Sequence, residues 1–545
     1  MKKIILFSSI ILCNYSCINK EKVDLIIHNA KIISLDQHDN YHEAMAIKDG
    51  KIIALGKENQ ILNKFSSAKK IDLQSNFVYP GFIDAHCHFL SYGKSLNQVN
   101  LKGCLSYDEM LERCIQKKIA KKEWLIGNGW DQNLWSSSSF PNKKKLDLQF
   151  PNQPVVLFRV DGHAVLANQK ALDLAGVNIN SKIKGGHIEI LDNKLTGILV
   201  DNAMNLIRDS IPTESEQQNK RALLLAQKKC FELGLTTVDD AGLNKADIFL
   251  IKKLHKTNEL KIRIYAMLSD NEENFNYFLD SISKPIVTDK LTVRSFKFYS
   301  DGALGSRGAC LIKPYSDIKD STYGMLLSDI EHFKKSAKKL HAHGFQMCTH
   351  SIGDSAARIM LNIYANILKG VNDKRWRLEH AQVINEADFD IFGKNSIIPS
   401  VQPTHATSDM LWAILRLGKN RIKNGYAYKK LLMQNGMIAL GTDFPIEGIN
   451  PIHTFYAAVA RKNINGEPKN GFQIENSLSR MEALKGMSIW AAIANFEEEN
   501  KGTLENGKFA DFIILNNNLL TIAEDEILST KVLSTYLNGE LVFEN

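Results

Sequence analysis

Eight short runs rich in apolar and β-branched residues recur along the middle of the chain, at 81–87, 235–239, 262–268, 293–299, 345–350, 376–380, 397–402 and 437–442. Amphipathic segments separate them. From Asp329 to Leu340 apolar residues recur on one helical face, and Gly344 follows as a stop signal. Runs that are apolar throughout suit strands covered on both faces, and strands alternating with helices give a parallel sheet. Eight such units are the number that closes a (β/α)8, or TIM, barrel, whose chemistry sits at the C-terminal ends of its strands. The expected fold is therefore α/β, with the barrel at 81–499.

The flanks read differently. Val23-Asp-Leu-Ile-Ile27, Lys31-Ile-Ile33 and the alternation on either side of Asp49-Gly50 predict strands and a two-residue hairpin, and Asn538-Gly539 predicts a second hairpin near the C-terminus. Residues 23–80 and 500–545 are expected to meet in one small β-sandwich domain. The gap between the first and second barrel runs is too long for one crossover. A barrel needs about 250 residues, whereas 81–495 holds 415, so 90–233 is expected to form an inserted subdomain over the barrel mouth.

The first residues form a third kind of segment. Lys2 and Lys3 precede the apolar run Ile4–Leu12, which is too short for a membrane span of about 20 residues. Ser16-Cys17 before a polar stretch is similar to the cleavage site of a bacterial lipoprotein, although Asn14 stands where an aliphatic residue is usual. Residues 1–17 are thus expected to be a signal peptide with Cys17 as the acylation site. The protein would then be exported and attached to a bacterial envelope membrane through that lipid alone. The remaining six cysteines are irregularly spaced and contain no Cys-x-x-Cys. The formal charge is +8, but the lysines are interspersed with acids and no basic stripe accompanies them, which argues against a nucleic-acid partner. The expected partner is a small molecule, and a homo-oligomer is compatible with the sequence.

Donor residues cluster at the expected strand ends. His86-x-His88 ends the first run, and side chains two apart on a strand share a face. Lys297 lies in the fourth run, His350 ends the fifth, His380 the sixth, and Asp443 follows the eighth. One His-x-His pair is a weak signal, but six candidate ligands on the same rim point to a metal site. Cys87, between the two histidines, should face away as a packed thiol, while Asp84 should support the site from below. His341-x-His343 repeats the spacing at a helix end, where residues two apart diverge, and is set aside. Nothing in the sequence decides the role of His187.

These residues fall in motifs that together resemble the amidohydrolase superfamily, specifically the amidohydrolase 3 branch that includes N-substituted formamide deformylases. The motifs are Pro80-Gly-Phe-Ile-Asp-Ala-His-Cys-His88, Lys297-Phe-Tyr-Ser-Asp-Gly-Ala-Leu-Gly-Ser-Arg307, Thr349-His-Ser-Ile-Gly-Asp354, Leu378-Glu-His-Ala-Gln382, Gln402-Pro-Thr-His405 and Gly441-Thr-Asp-Phe-Pro445. The resemblance implies two metal ions, with His86, His88 and Asp443 holding one, His350 and His380 the other, and Lys297 bridging both as a carbamate. Zinc suits these donors, and iron or manganese would also be accommodated. It further implies hydrolysis of a non-peptide C–N bond of an N-acyl or N-formyl small molecule, with Asp443 moving the proton. His163, Asn168, Trp130, Asp131 and His405 resemble substrate-facing positions. Asp301 and Arg307 would either steer a polar substrate group or fix their loop. Two rival readings remain: a mononuclear deaminase of the same superfamily, which has no use for Lys297, and an inactive exported binding lipoprotein.

Overall fold

In a computed structural model of the chain, which describes residues 20–117, 123–318 and 322–545, the eight runs form eight consecutive parallel strands. They are β1 (Phe82–Cys87), β2 (Leu235–Leu243), β3 (Arg263–Ser269), β4 (Leu291–Tyr299), β5 (Gln346–Ser351), β6 (Arg377–His380), β7 (Ile398–Val401) and β8 (Ala439–Leu440), hydrogen-bonded in that order. The expected helix spans Ile330–Ala342. Between β8 and β1 the ring is nearly closed. Asp443 N–H donates to the His86 carbonyl at 2.8 Å and His88 N–H to that of Phe444 at 2.8 Å. Below them the Asp84 carboxyl accepts from Thr442 N–H at 3.0 Å and from its hydroxyl at 2.7 Å. This seam requires Gly441, because a Cβ there would lie 2.5 Å from the His86 nitrogen.

Both chain ends share one sheet. Strand Phe77–Pro80 pairs with Lys31–Ile33 on one side and with Phe512–Leu515 on the other, and a four-stranded sheet built on Leu25–His28 packs against it. Asp49-Gly50 and Asn538-Gly539 are both left-handed, with φ of 52° and 74°, and of 51° and 71°. That is the geometry a type I′ hairpin turn needs. Leu25, Ile27, Ile32, Met45, Ile47, Val78, Phe512 and Ile514 form the core between the sheets. A buried ion pair joins this sandwich to the barrel floor: Arg263 of β3 donates to Asp511 at 2.5 and 3.0 Å and to Asn538 at 2.6 Å.

Between β1 and β2 the chain builds a six-stranded sheet from Val99–Asn100, Leu125–Trp130, Val155–Arg159, Ala164–Ala167, Lys194–Asp201 and Gly186–Leu191. Apolar clusters cover both of its faces. Helices Phe89–Ser95 and Glu216–Glu232, which the range 90–233 touches or contains, pack on the barrel instead, and against each other so closely that a Cβ on Gly93 would meet the Ala222 carbonyl at 2.0 Å. The part that leaves the barrel layer is thus about 99–208. Residues 1–17, including Cys13 and Cys17, lie outside the described residues. The six cysteines of the described residues are free thiols, and no helix among those residues is long and apolar enough to cross a membrane.

Removing one partner of a buried ion pair leaves an uncompensated charge, at a cost of about 3–5 kcal/mol. Asp511→Ala is therefore expected to lower the unfolding free energy by roughly 3 kcal/mol in urea denaturation. Adding Arg263→Met should recover part of that loss.

Candidate metal centre

Strand alternation aims the first ligands. On β1, Asp84 and His86 point into the barrel, while Cys87 faces the other way and its thiol contacts the Asp239 carbonyl. On β6, Arg377 and Glu379 occupy the inward positions, so strict alternation would send His380 outward. His380 instead has φ of 68°, and Asp443, beyond β8, has φ of 63°. Side chains other than glycine rarely occupy this region, and strain of this kind collects at functional sites. The turn brings the His380 ring within 4.6 Å of the His350 ring and 4.9 Å of the His86 ring, centroid to centroid.

Three of the imidazoles are oriented by a partner on the far side. His86 Nδ1 meets Glu379 Oε2 at 2.5 Å, His88 Nδ1 the Ala241 carbonyl at 2.9 Å, and His380 Nδ1 the Gln402 side-chain oxygen at 2.7 Å. Such partners place the proton on Nδ1 and leave the Nε2 lone pair for a metal. Asp443 Oδ1 lies 3.3 Å from His88 Nε2 and 3.7 Å from His86 Nε2, and its Oδ2 lies 3.2 Å from His405 Nε2. Two sets of donor atoms therefore converge, His86/His88/Asp443 and His380/His405/Asp443, each within 4.8 Å. Lys297 enters fully buried from β4, with Nζ 3.0 Å from His86 Nε2 and no carboxylate in ion-pair contact among the described residues.

The electrostatics keep His86, His350, His380 and Asp443 in ligand form, whereas at His405 burial is outweighed by hydrogen bonds to Asp443 and Glu447, which hold it well above the usual imidazole range. Burial, with Lys297 nearby, pushes His86 down to about 4. Burial likewise holds His350 and His380 well below the usual imidazole range. Burial works against the Asp443 carboxylate, but a hydrogen bond from His405 and the neighbouring imidazoles hold it well below its ordinary range. Two buried atoms of the cluster, His350 Nε2 and Asp443 Oδ1, have no hydrogen-bond partner among the described residues. Orphaned buried donors and acceptors are rare and call for an explanation. A divalent cation beside each would satisfy it, and an imidazole and carboxylate set fits such an ion.

The residues expected to face a substrate divide. The insert's His163 reaches the centre, its ring 5.1 Å from that of His350 and its Nδ1 on Asp201 at 2.7 Å. His405 joins the ligand cluster itself, bridging Asp443 and Glu447. Trp130 does not face the mouth. It is fully buried in the insert, packed on Trp135 and Phe140 with its indole N–H on the Leu157 carbonyl at 2.7 Å, because a sheet covered on both faces takes its largest ring inward. Asn168 is likewise internal, capping helix Gln169–Leu174. Asp131 is committed to Arg159. Asp301 accepts backbone N–H groups from Cys310, Ile352 and Gly353, and Arg307 pairs with Asp317 at 3.0 Å, so both fix loops. His341 and His343 sit at a helix end and His187 on an exposed strand, away from the cluster.

Glu379 and Arg377 were not singled out from the sequence. Arg377 Nη1 donates to Asp239 at 2.8 Å and its Nε lies 2.7 Å from Glu379 Oε1, all three side chains being fully buried. Two charges at alternate positions of a strand that must be buried were the available signal, since charged groups enter cores paired.

A (β/α)8 barrel with imidazole and carboxylate donors at its strand ends defines a metal-dependent hydrolase. The chain belongs to the amidohydrolase family, whose family model matches residues 69–543. It is 30% identical over 541 residues to the Arabidopsis thaliana protein LONG AFTER FAR-RED 3, covering 95% of this chain and 91% of that one. It is 24% identical to the N-substituted formamide deformylase of Arthrobacter pascens, covering 96% and 98%. Among solved structures, an uncharacterized metal-dependent hydrolase from Pyrococcus horikoshii superposes with a TM-score of 0.75 at 26% identity, covering 92% of this chain and 99% of that one.

Partners that orient metal-binding histidines typically contribute about 10–100-fold to metal affinity. Glu379→Gln is expected to weaken metal binding by roughly that factor in a chelator competition, with His341→Ala unchanged.

Proposed function

We propose that the protein is a two-metal hydrolase that cleaves a non-peptide C–N bond in an N-acyl or N-formyl small molecule at the barrel mouth. The observation that carries this reading is that two donor sets, one with His86 and His88 and one with His380, share Asp443, with Lys297 beside His86, the His350 ring 4.6 Å from that of His380, and His350 Nε2 and Asp443 Oδ1 buried without hydrogen-bond partners among the described residues. His86, His88 and Asp443 would hold one cation and His350 and His380 the second. Lys297, buried with no carboxylate in ion-pair contact among the described residues, would bridge them as a carbamate formed with carbon dioxide. The similarity to an N-substituted formamide deformylase over almost the whole chain supports an acylated or formylated amine as substrate.

When bound, the cations supply carbonyl polarisation and a water made acidic near neutral pH. Asp443 turns Oδ1 toward His86 and His88 and keeps Oδ2 for proton transfer, accepting from the attacking water and returning the proton to the leaving nitrogen. His405, between Oδ2 and Glu447, orients that carboxylate. His163 and the insert cover the mouth and limit water access.

The test is metal analysis combined with hydrolysis of a formamide, amide and carbamate panel. Two metals per chain are expected, falling to one or none in Lys297→Ala, with kcat reduced by about three orders of magnitude in Asp443→Asn, within the range for loss of a general acid–base group. One metal per chain, unaffected by Lys297→Ala and accompanied by deaminase activity, would overturn the reading. We also propose export and lipid attachment at Cys17: the wild-type protein should partition with membranes and Cys17→Ala should not.

A further inference from the structure

His187, which the metal centre does not use, lies on the outermost strand of the insert's six-stranded sheet. Strand Gly186–Leu191 has one neighbour, the antiparallel strand Lys194–Asp201, and its other edge is open among the described residues. Asn202 N–H donates to the Gly185 carbonyl at 3.1 Å and the Thr196 hydroxyl to that of Glu189 at 3.3 Å, so residues 185, 187 and 189 turn their backbone groups inward. Ile188 and Ile190 therefore turn theirs to the open side. Where the pairing shifts register, the two steps from Ile188 to Ile190 run against four from Leu199 to Leu195. The extra residues thus sit in the inner strand, and the edge strand runs unbroken.

An open edge is a template for another strand unless it is very short or blocked by lysine or proline. This one is six residues long, and 186–191 contain neither residue type. Ile190 is 43% exposed and Leu191 66%. His187 is exposed, and neither its ring nor the Glu189 carboxylate makes a hydrogen bond or ion pair among the described residues. Ile188 packs with the apolar cluster on one face of the sheet. His187, opposite Val200 of the other cluster, projects from the other face, as strand alternation requires.

We propose that this edge receives the same strand of a second copy of the chain, joining two inserts into one continuous sheet across a two-fold axis. The two unpartnered side chains fix the register. With Ile188 opposite Ile188 of the second copy, His187 falls opposite Glu189 in both directions. That sets an imidazole donor against a carboxylate in the closely spaced, non-hydrogen-bonded pairs. The two Ile188 side chains meet on the other face and extend its apolar cluster. An axis centred on Glu189 would instead oppose two carboxylates. The occupant is a copy because donor and acceptor flank Ile188 on this one strand, the placement that a self-complementary two-fold contact needs.

Sedimentation of the metal-loaded full protein across a dilution series tests this. A monomer–dimer equilibrium is expected, weakened about tenfold by His187→Glu, which opposes like charges twice. Combining His187→Glu with Glu189→His reverses both pairs without removing them and should restore the wild-type equilibrium. Amide hydrogen exchange in the unaltered protein gives a second readout, since protection at Ile188 and Ile190 should rise with protein concentration. A monomer at every concentration would overturn the proposal. So would a dimer that His187→Glu leaves unchanged, or exchange at Ile188 and Ile190 that is independent of concentration.

Discussion

The structure above the barrel floor depends on one buried guanidinium. Arg377 is sealed inside the ring, where removing an ion from water is expensive unless geometry and further hydrogen bonds repay it. Here they do. Asp239 and Glu379 flank it, Ser400 and Asn495 accept from it, and Asn495 also donates to the second oxygen of Asp239 at 2.6 Å. Burial would raise Glu379, but Arg377 and then His86 outweigh it and hold Glu379 well below the usual carboxylate range. An ionised Glu379 fixes the proton of His86 on Nδ1, so the direction of the central ligand is set two residues beneath the site.

The mouth is tied together from the opposite side as well. Lys102 of the insert donates to the carbonyls of Ile446 and Glu447 at 2.8 and 3.0 Å, on the loop that carries Asp443 into Glu447. Asn202 of the insert bonds Leu327 beyond the β4 loop at 3.0 Å. Roof and barrel therefore share the residues that hold His405 and His163. The insert has its own apolar cores on both faces of its sheet, so it is a rigid cover rather than a loose loop.

How much of this could be read in the residues follows the range of the interactions. The eight strands and both hairpins were legible because they rest on local apolar runs and on Asp-Gly and Asn-Gly turns. Their bounds agree within a few residues, β2 extending furthest past its expected end. The candidate ligands were legible because a barrel brings strand ends together whatever lies between them. Glu379 was not, since its value depends on His86, 293 positions away in the chain. Trp130 misled for a related reason: Gly127-Asn-Gly-Trp-Asp131 has the look of an exposed loop, and only pairing with Val155–Arg159 turns it into a covered strand. Asp301 could be read either way until its three backbone donors were in place.

The left-handed backbone at His380 and Asp443 has a consequence for how such a centre is maintained. Glycine would relieve the positive φ at both positions, at the cost only of its greater freedom in the unfolded chain, yet it would carry no donor atom. The folded state is thus held above its own conformational minimum at two single residues. Selection for stability alone would erode the chemistry there first, while the strands beneath it could stay unchanged.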